Sequence, residues 1–425
     1  MHALLVTTGT DGDVYPFAGL GARLRSRGHR VTLVSNEHYA GLAGQLGLEF
    51  RSLVTNAETE AFLRDPDLWH PLKCGLAGLR WGIGLVPRQY ALISELAKSN
   101  DAVLVANPGV LAARLVHDKL STPIVTLLLQ PWMIPSSSAP PLMPGFSLPR
   151  WAPRPMGSAY WSAVSLVGDL LVARPLNRIR ASIGLKPIRR VFDWWFSPSL
   201  VIGLFSPWYG PPQDDWPTQV RLVGFPLDDG RPERELPSTV EHFLSAGPPP
   251  IAFTLGTGMM HAAKFFRDAV EACRTLGARG LLLTKFREQL PEPLPETVRA
   301  VAFAPFLKLF PRCAAVVHHG GIGTVAKALA TGTPQLILPL AWDQPDNAAR
   351  VRRLGVGEWL GRRRRGARDL AAALALVLEP QVKASCAEIG KRFAGEDAFD
   401  LAAGWVETQF ACGWSPGPIG REPRR

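Results

Sequence analysis

Short, nearly continuous apolar runs alternate with helical stretches twice over in this chain, and that alternation constrains its fold more than any other feature. Ala3–Val6 precedes Pro16–Arg27, which has helical apolar spacing at Phe17, Leu20 and Leu24 and stops at Gly28; Val31–Val34 is the next run. Ala102–Val105, Val110–Lys119 and Ile124–Leu128 repeat the unit. Runs without polar alternation suit strands buried on both faces, so a parallel sheet covered by helices is expected. After a Pro- and charge-rich segment, Pro226 to Pro250, the pattern restarts. Strands are expected at Ile251–Leu255, Gly280–Thr284, Ala314–Val317 and Gln335–Pro339, and helices at Lys264–Leu276 and Thr324–Thr331. Further helices are expected over Pro345–Leu354, Arg368–Leu378, Gln381–Phe393 and Asp397–Phe410. The fold class is therefore α/β, with Rossmann-like domains over residues 1–225 and 251–395, a linker at 226–250, and a last helix with a basic tail, 396–425, expected to pack back on the first domain.

A chain of 425 residues has room for two or three cores at about 150 residues per domain. Hydrophobic residues make up 47% and charged residues 20%, which excludes a disordered or fibrous chain. The net charge of +11 allows an anionic ligand or a peripheral contact with an anionic membrane. No basic motif calls for nucleic acid. Five scattered cysteines (Cys74, Cys273, Cys313, Cys386, Cys412) form no C-x-x-C, so a reducing, cytoplasmic setting is expected. Met1–Val6 reaches polar residues too soon for a signal-peptide core. The uncharged stretch from Leu120 to Pro149 holds seven prolines and reads as a strand followed by an irregular apolar loop, not a membrane helix.

Between Gln130 and Ser206 the alternation breaks into a segment rich in Pro, Leu and Trp. Nine of the thirteen tryptophans precede residue 217, so large apolar surfaces concentrate in the first half. Two readings stay open: core packing, or an aromatic-lined pocket for a lipophilic ligand.

The most telling local motif is His318-His319-Gly320-Gly321-Ile322-Gly323-Thr324, which follows an apolar strand and opens a helix. Gly320, Gly321 and Gly323 permit close backbone approach, and a helix start offers unpaired N–H groups and a positive dipole end to a diphosphate. His318 could add a donor or a positive charge, and Thr324 a hydroxyl. A second glycine turn, Thr254-Leu255-Gly256-Thr257-Gly258, ends another strand and could face the same crevice. Asp343 and Gln344, between a strand and a helix, suit vicinal sugar hydroxyls, since one accepts and the other both accepts and donates; helix capping by Asp343 with Pro345 in the first turn is the structural alternative.

The run His318–Thr324, with Gly332-Thr333-Pro334, Asp343-Gln344 and Asn347-Ala348, resembles the donor-binding signature of the family 1 glycosyltransferases, nucleotide-sugar-dependent enzymes of the GT-B fold. Gly9-Thr10-Asp11-Gly12-Asp13-Val14-Tyr15-Pro16 resembles the amino-terminal motif of their bacterial antibiotic and sterol branch. The resemblance implies that His318, with backbone N–H groups around Gly323 and Thr324, contacts the donor diphosphate. It implies that Asp343 and Gln344 hold sugar hydroxyls, that Phe303 stacks the nucleobase, that the backbone at Phe306–Leu307 reads its edge, and that Thr257 approaches the phosphates. Gly12 joins the donor set, and Asp13 takes the place of the proposed general base. The plant pattern has Trp and Asn where this chain has Gly321 and Ile322, so plant substrate assignments do not carry over.

Together these imply an inverting transfer from a UDP- or dTDP-sugar to a hydroxyl of a hydrophobic small molecule, without a metal or other cofactor. Asp11-Gly12-Asp13 and Asp65-Pro66-Asp67 both spell D-x-D, a pattern that can bind Mg²⁺ or Mn²⁺ beside phosphates, but both lie far in sequence from the glycine loop. A nucleotide-sugar epimerase of the same fold and a non-catalytic auxiliary partner are the alternatives. A nicotinamide-dependent oxidoreductase would want G-x-G-x-x-G after the first strand, which Gly9-x-x-Gly12 lacks.

Overall fold

The computed structural model describes residues 1–143, 148, 153–228, 235–395 and 397–411. Trp151, Cys412 and the basic tail Arg421–Arg425 lie outside the described residues.

The amino-terminal domain is built on seven strands: β1 (His2–Val6), β2 (Arg30–Asn36), β3 (Glu49–Val54), β4 (Ala102–Ala106), β5 (Ile124–Leu128), β6 (Val201–Gly203) and β7 (Val220–Leu222). They form one parallel sheet ordered β3-β2-β1-β4-β5-β6-β7. The carboxy-terminal domain has β8 (Ile251–Thr254), β9 (Gly280–Leu283), β10 (Val298–Val301), β11 (Ala315–His318), β12 (Gln335–Ile337) and β13 (Gly357–Trp359). Its sheet is also parallel, ordered β10-β9-β8-β11-β12-β13. Central strands such as β1, β4, β5 and β8 are buried along their whole length, which is why they read as continuous apolar runs. The two sheets reverse direction between β1 and β4 and between β8 and β11, and crevices outside the carboxyl ends of strands at such reversals are where α/β folds bind ligands.

Several elements are hidden from periodicity. The strand β3 lies at a sheet edge and exposes Glu49, Arg51 and Ser52, so it lacks an apolar run. The 23-residue helix Cys74–Leu96 contains Gly75, Gly78, Gly82, Gly84 and Pro87, residues of poor helix propensity kept helical by tertiary packing. The first helix runs from Asp11 to Ser26, not from Pro16. Pro16 lacks the N–H that would bond the Gly12 carbonyl, and because Gly12 is exposed that carbonyl can turn to water. In the Trp-rich segment, helices cover Arg154–Gly168 and Arg174–Ser182, joined through a π-helical turn at Asp169–Ala173.

Trp194, Trp195 and Trp208 are half-buried and pack against the apolar clusters. Trp208 packs against Tyr209, Phe225 and Phe393, and Trp195 against Phe192 and Phe196. Trp194 donates to Asp118 (2.8 Å) with the Arg114 and Arg180 guanidinium groups over its ring. One apolar cluster joins the domains: Leu128, Phe205 and Tyr209 meet Val325, Leu329 and Ile389. The last helix, Ala398–Ala411, lies on the Asp11–Ser26 helix, where Phe399 fills the space over Gly19 and Arg27 pairs with Asp400 (2.6 Å) and Glu407 (2.7 Å). A helix inside the linker, Ser238–Ser245, packs its Val240, Phe243 and Leu244 on the second sheet. Of the basic run Arg362–Arg365, the first three are exposed, but Arg365 turns inward and donates to the Pro339 carbonyl, so it is not a solvated patch residue. The four described cysteines are free and buried.

Candidate functional site

Asp13 stands in the first turn of the helix after β1. Its Oδ2 accepts from the Thr10 amide (2.8 Å) and the Thr10 hydroxyl (3.1 Å), completing a capping box. Oδ1 takes no hydrogen bond from the described residues, which leaves one oxygen for chemistry while the other fixes the side chain. Gly9 makes room: its φ is +139°, and a Cβ there would lie 2.3 Å from Asp13 Oδ2. Burial pushes the Asp13 carboxyl above its ordinary value, against the pull of the Thr10 bonds.

The glycine loop lies after β11, beside β8. Gly320 has φ +96°, and a Cβ there would meet Ile337 and the Gln344 carbonyl. Gly321 is the N-cap of the helix Ile322–Ala330. Its carbonyl accepts from the amides of Thr324 and Val325, both 3.0 Å, so the N–H groups left without an acceptor among the described residues are those of Gly321, Ile322 and Gly323. That corrects the expectation for Thr324, whose N–H is occupied. They point from a positive dipole end, the arrangement an anion needs.

His318 does not take the role expected of it. It is fully buried at the end of β11. Its Nδ1 accepts from the Gly320 amide (3.1 Å), so the proton sits on Nε2, which donates to Gln335 Oε1 (3.0 Å). Burial pushes its pKa down to about 3, so it carries no charge to a diphosphate. The histidine at the crevice is His319, half-buried between Gly256 and Gly321: Cβ atoms on these glycines would lie 2.8 Å and 2.6 Å from its ring. Its Nδ1 is buried with no partner among the described residues, and burial lowers its pKa to about 4. Periodicity could not choose between the two histidines, because every residue of β11 is buried.

Asp343 is the N-cap residue of the helix Gln344–Arg353, yet its side chain makes no cap bond; Oδ2 accepts from Asn347 Nδ2 (2.7 Å). Burial, and then the charge of Asp13 across the cleft, push its carboxyl up to about 7. Gln344 is buried, and its Oε1 accepts from Leu340 N (2.7 Å) and Ala341 N (3.1 Å). Only its N–H donors remain, a correction to the expectation that it would both accept and donate.

Thr257 is exposed in the turn after β8, where Gly258 comes against Thr10 and Trp69 of the other domain. Gly12 is exposed in the first helical turn, next to Asp13. Phe303 presents about half of its surface. Phe306 stacks on Phe310 (4.5 Å between centroids), so its ring belongs to the core, and the amides of Phe306 and Leu307 have no acceptor among the described residues. The sequence placed Asn347 in the signature without giving it a role and did not point to Tyr209, whose hydroxyl donates to Asn347 Oδ1 (2.9 Å).

Trp342, a non-glycine residue at φ +57°, lies against Gly78 of the Cys74–Leu96 helix. Beside that helix an open hollow of about 800 Å³ is lined by Phe62, Leu76, Trp81 and Leu85 together with the charged Glu58, Asp65, Asp67, Lys73 and Arg80. Phe62 and Trp81 stack at 4.1 Å. Among the described residues, no tryptophan after Gln130 lines this hollow. Among the described residues no group of three His, Cys, Asp or Glu could hold a metal ion. The D-x-D carboxylates have other partners: Asp11 accepts from the Tyr39 hydroxyl, Asp65 caps Asp67, and Asp67 pairs with Lys73.

Residues 3–136 match the glycosyltransferase family 28 N-terminal domain, and residues 282–398 match the C-terminal domain of erythromycin biosynthesis protein CIII-like proteins. O-mycaminosyltylonolide 6-deoxyallosyltransferase of Streptomyces fradiae is 31% identical over 96% of this chain and 98% of its own length. The chain is a GT-B glycosyltransferase of the antibiotic and sterol family. Glycosyltransferase GtfE of Amycolatopsis orientalis is also 31% identical, over 97% of each chain, and the sterol 3-beta-glucosyltransferase UGT80A2 of Arabidopsis thaliana is 28% identical over 96% of this chain and 65% of its own. Among solved structures, the calicheamicin glycosyltransferase CalG4 superposes with a TM-score of 0.70 at 20% identity, covering 96% of this chain and 98% of that one. The glycosyltransferase VinC in complex with dTDP gives 0.66 at 20% identity, covering 97% and 100%. Membership in this family sets aside the epimerase and oxidoreductase readings, and it makes this glycosyltransferase an enzyme of natural-product type.

Proposed function

We propose that this glycosyltransferase moves a sugar from a UDP- or dTDP-sugar to a hydroxyl of a lipophilic small molecule with inversion, in a reducing cytoplasmic setting. One observation carries the reading: Thr10, which holds Asp13, lies against Gly258 in the glycine turn after β8, and the charge of Asp13 reaches the Asp343 carboxyl, so the amino-terminal acid stands beside the loops of the second domain. The donor diphosphate would lie on the Gly321, Ile322 and Gly323 amides with His319 beside it, and the sugar would lie against Asp343 and the Gln344 N–H₂. The nucleobase would lie against Phe303 and the amides of Phe306 and Leu307, with Thr257 and Gly12 at the mouth. The Phe62–Trp81 cavity supports an apolar acceptor.

In the reaction, the acceptor oxygen bonds to the anomeric carbon as its proton passes to Asp13 Oδ1, and the bond from that carbon to the diphosphate oxygen breaks. General-base assistance of this kind contributes roughly 10²–10⁴-fold. The charge that develops on the leaving oxygen meets the three amides and the helix dipole, which are fixed in place before the reaction. This chemistry needs no metal.

The test is a screen of UDP- and dTDP-sugars against hydrophobic alcohols, read by mass spectrometry, with the anomeric configuration of any product assigned by NMR. An inverted glycoside is expected. Retained configuration, or full turnover by Asp13→Asn, would remove Asp13 from the base role.

A further inference from the structure

Asn347 is fully buried in the first turns of the helix Gln344–Arg353, and its amide joins three segments. Its Nδ2 donates to the Gly320 carbonyl (2.9 Å) and to Asp343 Oδ2 (2.7 Å), while Oδ1 accepts from the Tyr209 hydroxyl (2.9 Å). A carbonyl and a carboxylate can only accept, so chemistry fixes which way the amide faces. No other side chain of this size offers two donors and an acceptor in one plane; Asp would set a carboxylate against a carboxylate.

We infer that Asn347 is the positioning residue of the donor site: it sets the glycine loop and Asp343 in one geometry and, through Tyr209, ties that geometry to the amino-terminal domain. The inference rests on the transferase reading above. The Gly320 carbonyl and the Gly321 N–H belong to one planar peptide and point in opposite directions, so drawing the oxygen toward Asn347 aims the N–H away from it, into the crevice. The same amide holds an oxygen of Asp343. Tyr209 is as firmly placed as Asn347. It is fully buried, its ring packs on Phe225 (5.1 Å), and its carbonyl accepts from Arg350 Nη1 (3.2 Å) and Arg353 Nη2 (3.0 Å) on the helix that carries Asn347. It lies between β6 and β7, so a shift of the first domain about this contact pulls directly on Asn347.

The experiment measures binding of UDP, dTDP and the accepted sugar nucleotide by calorimetry, beside melting temperature and the kcat and KM for donor. Asn347→Ala should weaken the nucleoside diphosphate about tenfold, the equivalent of one charge-assisted hydrogen bond, and the sugar nucleotide further. Asp343→Ala should weaken the sugar nucleotide alone. Tyr209→Phe keeps the ring and should weaken both ligands about equally, roughly three- to tenfold, through KM more than kcat. Asn347→Asp should bind worse as pH rises from about 6 to 8. If Asn347→Ala fails to fold, Tyr209→Phe and Asn347→Asp decide. Wild-type affinity for both ligands in cooperatively melting variants would overturn the inference and leave the transferase reading standing. A wild-type protein that binds no nucleoside diphosphate would overturn both.

Discussion

Asp13 and Asp343 are more than three hundred residues apart in sequence, yet the charge on Asp13 is the second largest influence on the Asp343 carboxyl, after burial itself. Each is held from its own side, Asp13 by Thr10 and Asp343 by Asn347. A pair of carboxylates facing across a cleft repels unless something cationic, or a proton, comes between them. The sugar and the attacking hydroxyl would occupy that gap.

Replacing Asp13 separates its two tasks. Asp13→Asn should lower kcat by about 10²–10⁴-fold while donor affinity stays within about twofold. Asparagine keeps an oxygen for the two Thr10 bonds and removes a buried charge, so the melting temperature should not fall. Steady-state kinetics and calorimetry on one preparation check both.

Gly9→Ala tests the support beneath Asp13. A Cβ at this position would collide with the carboxylate, and φ +139° is a conformation that alanine resists. Activity should fall at least tenfold in a protein that still melts cooperatively, because the reacting oxygen moves. Unchanged kcat would show that the Asp13 position does not matter.

The raised carboxyl of Asp343 makes stability depend on pH. Its pKa is about 7 in the folded state against an ordinary 3.8, so the native protein holds a proton that the unfolded chain has lost. Its contribution to stability is therefore fully present below about pH 4 and is lost as pH rises toward 7. Asp343→Asn should raise the melting temperature at pH 8 and have little effect at pH 4; calorimetric scans across that range give the answer.

His318 has the opposite sign. Its folded pKa of about 3 lies below the ordinary 6.5, so the native state excludes a proton that the unfolded chain takes up. Its contribution is present above pH 6.5 and is lost as pH falls toward 3. His318→Phe should lose about 1–3 kcal/mol at neutral pH by orphaning the Gly320 amide and Gln335, and should flatten the acid limb of the stability curve. His319→Ala should instead weaken dTDP or UDP binding with little change in melting temperature. Urea unfolding and calorimetry distinguish the two histidines.

Phe399→Ala opens a cavity between the last helix and the Asp11–Ser26 helix, where the ring fills the space over Gly19. A loss of about 3–4 kcal/mol is expected. It should change thermal stability far more than KM for donor, and a melting curve beside a kinetic assay would show it.

The two sheets, the glycine loop and the Asp343-Gln344 turn were legible because each rests on local physics. Buried parallel strands are apolar throughout, and a tight strand-to-helix turn requires glycine at Gly320. The Cys74–Leu96 helix was not legible, because its four glycines and one proline speak against a helix that packing enforces.

By itself the sequence determined the alternation that closes into two parallel sheets and the small residues that leave a helix start open to an anion, since both follow from neighbours along the chain. Only the tertiary structure decided which histidine faces the crevice, that Gln344 keeps donors alone, and that Asn347 meets Tyr209. Each of these depends on a hydrogen-bond partner or a packing surface contributed by a different strand, loop or domain, and burial, which sets both the charge of a side chain and the direction it can bond, exists only once those surfaces have come together.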